Sequence, residues 1–342
     1  MKVLVLNNMA PFVHGGAEEL AIHLVRRLRE AGAEAEAMRI PFAWDPPEAV
    51  IEEMLIARSL QIANADRVIA LKFPTYLVEH PNKVIWLLHQ FRQAYDLWDA
   101  GQSDLGGGER GAALRAMIVA ADNAAFAGAR AMFAASPVSQ ARVAKYNGLK
   151  VPSLPAPPND PEMFQNAGDD GYVLAAGRVG AAKRQALLVQ ALRHAPQTRL
   201  VIAGPPDSAE EAAALRLLVE AEGVADRVRL DLRLLPRAEL ATLANRATAV
   251  AYLPFDEDSV GYVTMEAFLA GKPVLTTTDS GGVLELVRDG ETGLVVAPQA
   301  QALGGALRGL TASRAGKLGR AGHAAMAARG ITWPATIERL LA

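Results

Sequence analysis

The sequence predicts an α/β protein built of two doubly wound, parallel-sheet domains. Three features predict it. Short, nearly uniform apolar runs alternate with longer helical patterns along the whole chain. The alternation is interrupted once, by a proline-rich stretch near the middle. The chain has 342 residues, more than the ~100–200 of a typical single domain.

In the first half the strand candidates are Lys2–Asn7, Ala35–Arg39, Arg67–Ala70, Lys83–Leu88 and Ala131–Ala135. Such runs suit parallel strands covered by helices on both faces. Between them, Ala17–Glu30 sets Leu20, Leu24, Val25 and Leu28 on one stripe. Further helices are expected at Glu48–Asn64, Gly111–Gly128 and Ser139–Tyr146. Val151–Pro161 then holds five prolines in eleven residues, which no helix tolerates and which makes a stiff connector.

The second half restarts the pattern. Strands are expected at Tyr172–Ala175, Arg199–Ala203, Val228–Leu230, Ala249–Leu253, Pro273–Thr276 and Gly293–Val296. Helices are expected at Arg184–His194, Ala209–Glu222, Arg237–Asn245, Val263–Ala270, Val283–Arg288 and Gln299–Thr311. This order predicts an open parallel sheet whose ligands sit beyond the carboxyl ends of the strands. The expected division is 1–155 and 156–320, facing a central cleft. Residues 321–342 are expected to form a helix, interrupted at Pro334, that packs back on the first domain.

Composition narrows the function classes. A net charge of −2 gives no global attraction to nucleic acid or anionic lipid. The chain has no cysteine, which excludes disulfides, thiolate catalysis and cysteine-ligated metal sites. No uncharged apolar run reaches the ~20 residues of a membrane span. A cytoplasmic enzyme is expected, with peripheral contact at the inner membrane face allowed.

Five segments carry candidate chemistry. Gly15 and Gly16 follow the first strand and open a helix, where backbone amides can approach an anion; a tight strand-to-helix turn is the plainer reading. Arg178 and Lys183 flank the loop after Tyr172–Ala175, where two cations can clamp a diphosphate; they can equally be solvated surface charges. In Asp256–Glu266, Asp258 and Glu266 are eight apart. Gly261, Tyr262 and Val263 would supply helix-start amides to a phosphate, and Glu266 a carboxylate to a ribose diol. The same acidic stretch also suits a helix start with no ligand at all. His89 ends an apolar strand and should face a ligand rather than the core, although a lone histidine is more often structural. Finally, Gly281–Gly282 offers a second close backbone approach, or a simple loop. No GxGxxG follows the first strand, so the dinucleotide fingerprint is absent.

Together these segments resemble the retaining GT-B glycosyltransferases of family 4, two Rossmann-like domains about a cleft. DSVGYVTMEAFLAGKPVLTTTDSGGVLELVRDGETGLVV (Asp258–Val296) is similar to that family's E-x7-E signature with its GKPV strand and GG-x-x-E loop. GRVGAAKRQALLVQAL from Gly177 resembles its Arg-x4-Lys donor clamp, and PFVHGGAEELAIHL its N-terminal glycine loop. HQFRQAYDLW and ASPVSQARVAKYNG are similar to one bacterial subgroup.

The resemblance implies that Arg178 and Lys183 bind the donor pyrophosphate and that Glu266 holds the ribose hydroxyls. Gly261 and Tyr262 would give amides to phosphate. His89 and Asp258 would lie near the transferred sugar, and Gly15 and Gly16 near the diphosphate and acceptor. Asp258 stands where the family has glutamate and is one methylene shorter. Neighbouring Glu257 is longer but breaks the spacing.

The implied activity is transfer of a sugar from a UDP- or GDP-sugar to a sugar, lipid-linked or small-molecule acceptor. Anomeric configuration would be retained, without cofactor or essential metal. Two alternatives remain at this stage: a nucleotide-sugar-binding protein without transferase activity, and a nucleotide-sugar epimerase on the same fold.

Overall fold

A computed structural model of the chain describes residues 1–12 and 15–342. Val13 and His14, inside the PFVHGG segment, lie outside the described residues. The chain divides into two compact units, Met1–Pro157 with Ile331–Ala342, and Pro158–Gly330.

In the first unit β1 (Lys2–Met9), α1 (Gly16–Glu30), β2 (Glu34–Pro41), α2 (Ala49–Ser59), β3 (Arg67–Ala70) and β4 (Lys83–Leu87) follow one another. Then come the short α3 (Asp96–Asp99), α4 (Gly108–Ala127), β5 (Ala131–Ala134) and α5 (Pro137–Asn147). The sheet order is β2-β1-β3-β4-β5, parallel throughout. All of β3 and β4 is buried, which is why these runs read as uniformly apolar rather than alternating.

The second unit contains β6 (Tyr172–Ala176), α6 (Gln185–Ala191), β7 (Arg199–Ala203), α7 (Ala209–Ala221), β8 (Val228–Asp231), α8 (Arg237–Arg246) and β9 (Ala249–Ala251). It continues with α9 (Tyr262–Leu269), β10 (Val274–Thr277), β11 (Gly293–Val296), α10 (Ala300–Arg308) and α11 (Ala312–Ala328). Its sheet, β11-β10-β9-β6-β7-β8, is also parallel. The strand order reverses between β6 and β9, and in the first sheet between β1 and β3. Two doubly wound, Rossmann-like sheets are therefore present, as the alternation of patterns predicts.

Local chemistry explains most element ends. The Ser136 side chain accepts from Ser139 N–H ahead of α5, Pro137 occupies the first turn, and Gly148 closes the helix at φ 68°; a polar cap, proline entry and left-handed exit are the favoured terminators. The expected helix Glu48–Asn64 is shorter. Leu60 turns extended, and Gln61 forms a parallel bridge with Glu79. The expected helix Val283–Arg288 is a 3-10 turn, Gly281–Glu285. The terminal segment is not one interrupted helix. α11 ends at Ala328 in the second unit, and a new helix, α12 (Trp333–Leu341), begins after Thr332 with Pro334 in its first turn. There proline costs no intrahelical bond, so Pro334 starts a helix rather than breaking one.

α12 belongs to the first unit. The Trp333 ring meets Trp86 edge-on at 6.3 Å. Arg67 Nη1 donates to the Leu340 carbonyl at 2.9 Å, and the Arg339 guanidinium lies over the Phe133 ring. Among the described residues no helix is long and apolar enough to cross a membrane.

A polar network is buried in the first unit. Tyr95 donates to the Asp122 carboxylate of α4 at 2.7 Å. Asn147 donates to the Tyr95 oxygen at 3.5 Å and accepts from Gln90 at 2.6 Å. Burial pushes the Asp122 carboxyl up to about 7, against the pull of the Tyr95 and Tyr76 hydroxyls. Between its ordinary value near ~4 and about 7, the unfolded chain has lost a proton that the folded chain keeps. Stability therefore falls with rising pH across this window. Asp122→Asn keeps an acceptor for Tyr95 and removes the ionisation. Its melting temperature relative to wild type should climb across that window and then level off. A pH-independent offset would show that Asp122 titrates normally.

Candidate functional site

The candidate donor residues gather on the loops that leave β6 and β9, the two strands flanking the reversal of the second sheet. In open α/β sheets that reversal is where ligands bind, because adjacent loops diverge there beyond the strand ends. β6 feeds Gly177, at φ 107°, then Arg178 and a 3-10 turn, Ala181–Lys183. β9 feeds the loop Tyr252–Val260, then α9.

Arg178, Lys183 and Glu266 are each met by a partner of opposite sign. Arg178 Nη1 lies 3.0 Å from an Asp207 carboxylate oxygen. Lys183 Nζ donates to Glu257 Oε2 and to the Tyr252 hydroxyl oxygen at 3.2 Å. Tyr252 donates in turn to the same Glu257 oxygen at 2.9 Å. Burial and the Glu257 charge hold the Tyr252 hydroxyl well above the ordinary phenol range, so it remains a donor. Asp258, one residue on, is buried.

The N-terminus of α9 is built around Tyr252. Gly261 precedes the helix at φ 78°, and a Cβ there would fall 2.7 Å from Tyr252 Cε1. Only glycine meets both demands. Thr264 and Met265 N–H donate back to the Gly261 carbonyl. The amides of residues 261–263 therefore precede the first intrahelical bond, and such amides favour an anion. Glu266 lies one turn further in and is buried, with Arg237 Nη1 2.9 Å from Oε1. Arg237 also donates to Asp160 Oδ2 at 3.0 Å and to the Asn159 carbonyl at 2.6 Å.

Gly281 and Gly282 do make a close approach, but to protein backbone. Gly282 N–H donates to the Glu257 carbonyl at 2.8 Å, and a Cβ on it would meet the Ser259 backbone at 2.7 Å. The pair thus packs the β10 loop against the β9 loop.

Arg184, which sequence reasoning passed over beside Lys183, ties these loops together. It sits at φ 54°. Its Nε donates to the Leu253 carbonyl at 2.7 Å. Nη2 reaches the Pro254 carbonyl and Thr277 Oγ1, each at 2.8 Å. Both terminal nitrogens meet the Asp279 carboxylate, at 2.8 and 2.9 Å, and that contact lowers the Asp279 pKa. Arg237, Asp160, Tyr252 and Asp207 were missed as well. Arg237, Tyr252 and Asp207 meet Glu266, Lys183 and Arg178, which pattern reading had singled out, but they do so across 29, 69 and 29 residues of sequence.

Gly15, Gly16 and His89 belong to the first unit. Gly15 is extended and precedes α1. His89 is half-buried in the loop after β4, its Nδ1 2.6 Å from the Gln90 carbonyl. A carbonyl only accepts, so Nδ1 carries the proton.

Residues 158–324 match the family model described as glycosyl transferases group 1. The second unit is a group 1 glycosyl transferase domain. The chain is 36% identical over 184 residues to the D-inositol 3-phosphate glycosyltransferase of Mycobacterium avium, covering 51% of this chain and 41% of that one. It is likewise 36% identical over 187 residues to the enzyme of that name from Actinosynnema mirum, covering 51% and 44%. The matched stretch is therefore less than half the length of either relative.

Similarity of fold extends further. Sucrose-phosphate synthase from Thermosynechococcus elongatus superposes with a TM-score of 0.76 at 19% identity, covering 99% of this chain and 97% of that one. Anabaena HepE in complex with UDP-glucose superposes with a TM-score of 0.74 at 18% identity, covering 100% and 98%. The architecture is that of the GT-B glycosyltransferases.

Two substitutions test how the glycosyl transferase domain is held. Arg184→Ala removes the counter-charge of the Asp279 carboxylate, leaving it the Thr277 hydroxyl, and the donor to two loop carbonyls, and should lower unfolding stability by about 2–4 kcal/mol. Arg184→Lys should recover little of it, because a point charge cannot span the acceptors a guanidinium reaches. Chemical denaturation of the three proteins measures both; a wild-type midpoint in Arg184→Ala would remove the hub role.

Proposed function

We propose that the chain is a retaining glycosyltransferase that moves a sugar from a nucleoside-diphosphate sugar, UDP- or GDP-linked, to an acceptor hydroxyl. The observation that carries the reading is the convergence of Arg178, Lys183, the α9 N-terminus and Glu266 at the β6/β9 reversal of a group 1 glycosyl transferase domain. A diphosphate needs cations and amide donors, and a ribose diol needs a fixed carboxylate. The names of the relatives and the UDP-glucose complex of a protein of similar fold support the same donor class.

In this reading Arg178 and Lys183 hold the pyrophosphate, with the Gly261 and Tyr262 amides on a phosphate and Glu266 on the ribose. Arg237 fixes one oxygen of Glu266 and leaves the carboxylate oriented for the diol. The bond from the anomeric carbon to the diphosphate oxygen breaks as the acceptor oxygen approaches the same face. The acceptor proton passes to the departing phosphate oxygen, so no side-chain nucleophile is required. Negative charge grows on the leaving group, and fixed cations stabilise that charge more than they stabilise the bound donor.

Asp258 and His89 are assigned to the transferred sugar, and Gly15 and Gly16 to the diphosphate and acceptor. We infer that no cofactor or essential metal takes part, the two cations serving where a metal would. Among the described residues no three His, Asp or Glu side chains are grouped to hold one. A cytoplasmic setting accords with a chain that has no cysteine. Sugars, lipid-linked or small-molecule alcohols are the acceptor classes to try.

Incubation with UDP- and GDP-sugars and an acceptor panel should release nucleoside diphosphate, undiminished by chelator, and give a product of unchanged anomeric configuration. Arg178→Ala and Lys183→Ala should each lower turnover on the order of 10²–10³, as lost oxyanion donors do. If both kept full activity, the clamp assignment would be wrong. Binding without release would favour a donor-binding protein, and an altered sugar formed without acceptor an epimerase.

A further inference from the structure

We propose that Glu257 is an internal competitor for the donor site: its carboxylate occupies Lys183 until a diphosphate displaces it. The inference rests on the donor-binding reading of Lys183. It adds a residue that sets donor affinity.

Glu257 precedes the aspartate of the eight-residue carboxylate pair, so spacing alone gives it no part in donor binding. Yet it is the side chain whose carboxylate rests on the Lys183 ammonium. The Tyr252 hydroxyl donates to the same oxygen at 2.9 Å, and Lys183 Nζ lies 5.3 Å from the Tyr252 ring centroid. An anion-binding lysine thus already carries an anion, held in a prepared seat.

The geometry permits exchange. The backbone of Glu257 is pinned, because its carbonyl accepts from Gly282 N–H at 2.8 Å and a Cβ on Gly281 would fall 2.5 Å from its N and O atoms. The loop therefore stays, and only side-chain torsions are left to move. The side chains of Lys183 and Glu257 are 22% and 23% exposed, so the carboxylate can swing into water. An ion pair with this much solvent contact is worth little, and a diphosphate brings more charge and several acceptor oxygens. The ligand then wins the exchange at a modest cost in affinity, and the seat holds Lys183 in place for it.

Calorimetric titration of the full chain with UDP and GDP tests this. For the diphosphate that binds wild type, Glu257→Gln should tighten binding about three- to tenfold, the amount a partly solvated ion pair withholds. Tyr252→Phe, which removes one donor to that carboxylate, should tighten it less and in the same direction; it serves as the test should Glu257→Gln not fold. The parent nucleoside, uridine or guanosine, has no phosphate for Lys183, and its affinity should not change in either variant.

Labelling by an amine-reactive reagent should be faster at Lys183 in Glu257→Gln than in wild type. Unchanged or weaker diphosphate binding in both variants would overturn the competitor role and leave the donor reading standing. Equal tightening of the nucleoside would overturn it too, by showing a loosened loop. Absence of binding to wild type and both variants would remove the donor reading and this inference with it.

Discussion

The loops at the carboxyl ends of the second unit's strands depend on one guanidinium. Arg184 leaves the β6 loop in a left-handed conformation and delivers five hydrogen bonds to the loop after β9, the last residue of β10 and the loop that follows it. Two backbone bonds, Phe255 N–H to the Ala182 carbonyl and Asp256 N–H to the Asp279 carbonyl, run alongside it. Parallel strands need long crossovers, so the loops at their carboxyl ends arrive from distant parts of the chain. Nothing in the strands themselves fixes these loops to one another. A planar, always charged group with donors on three nitrogens can do so. Lys183 and Glu257 are neighbours of what this hub fixes, which is why a lysine and a glutamate on different loops meet at all.

Three charged side chains of the candidate site are matched by opposite charge before any ligand arrives. Arg178 has Asp207, Lys183 has Glu257, and Glu266 has Arg237. The three pairs differ in burial, and so in consequence. Arg178 and Asp207 are substantially exposed, and water and salt screen them enough for a ligand to exchange in. Glu266 is nearly closed off, and a carboxylate there without Arg237 would be an uncompensated buried charge, which is costly. The first two pairs suit exchange and the third suits permanence. In the proposed reaction diphosphate and ribose depart together as one nucleoside diphosphate; the exchangeable pairs would yield their cations to its charge, and the permanent pair would keep a carboxylate oriented for its ribose.

How much of this was legible in the sequence follows from the range of each signal. The inner strands were the most legible, because burial on both faces prints a local run of branched apolar residues, whereas the edge strands β2 and β8 are only partly buried. Gly261 was legible as a helix entrance, although not its reason, the Tyr252 ring pressed against it. The 3-10 turn at Gly281–Glu285 was read as a helix because five residues carry too little periodicity to separate the two. Pro334 misled because proline marks both breaks and starts, and the capping Thr332 decides between them. Lys183 and Arg184 are adjacent cations that pattern reading cannot rank. Arg184 finds backbone carbonyls at Leu253 and Pro254, which have no side-chain signature. The choice of Glu257 over Asp258 as the partner of Lys183 was equally hidden, since it turns on side-chain reach across two loops.

The return of α12 to the first unit has a consequence for the order in which the protein is made. The second unit, Pro158–Gly330, lies wholly inside the sequence of the first. A ribosome has therefore supplied every residue of the second unit before it supplies Trp333, whose ring meets Trp86, or Leu340, whose carbonyl receives Arg67. Domains usually fold in the order they emerge. Here the later unit can close first, while the earlier sheet waits with the contact faces of Trp86 and Phe133 still uncovered.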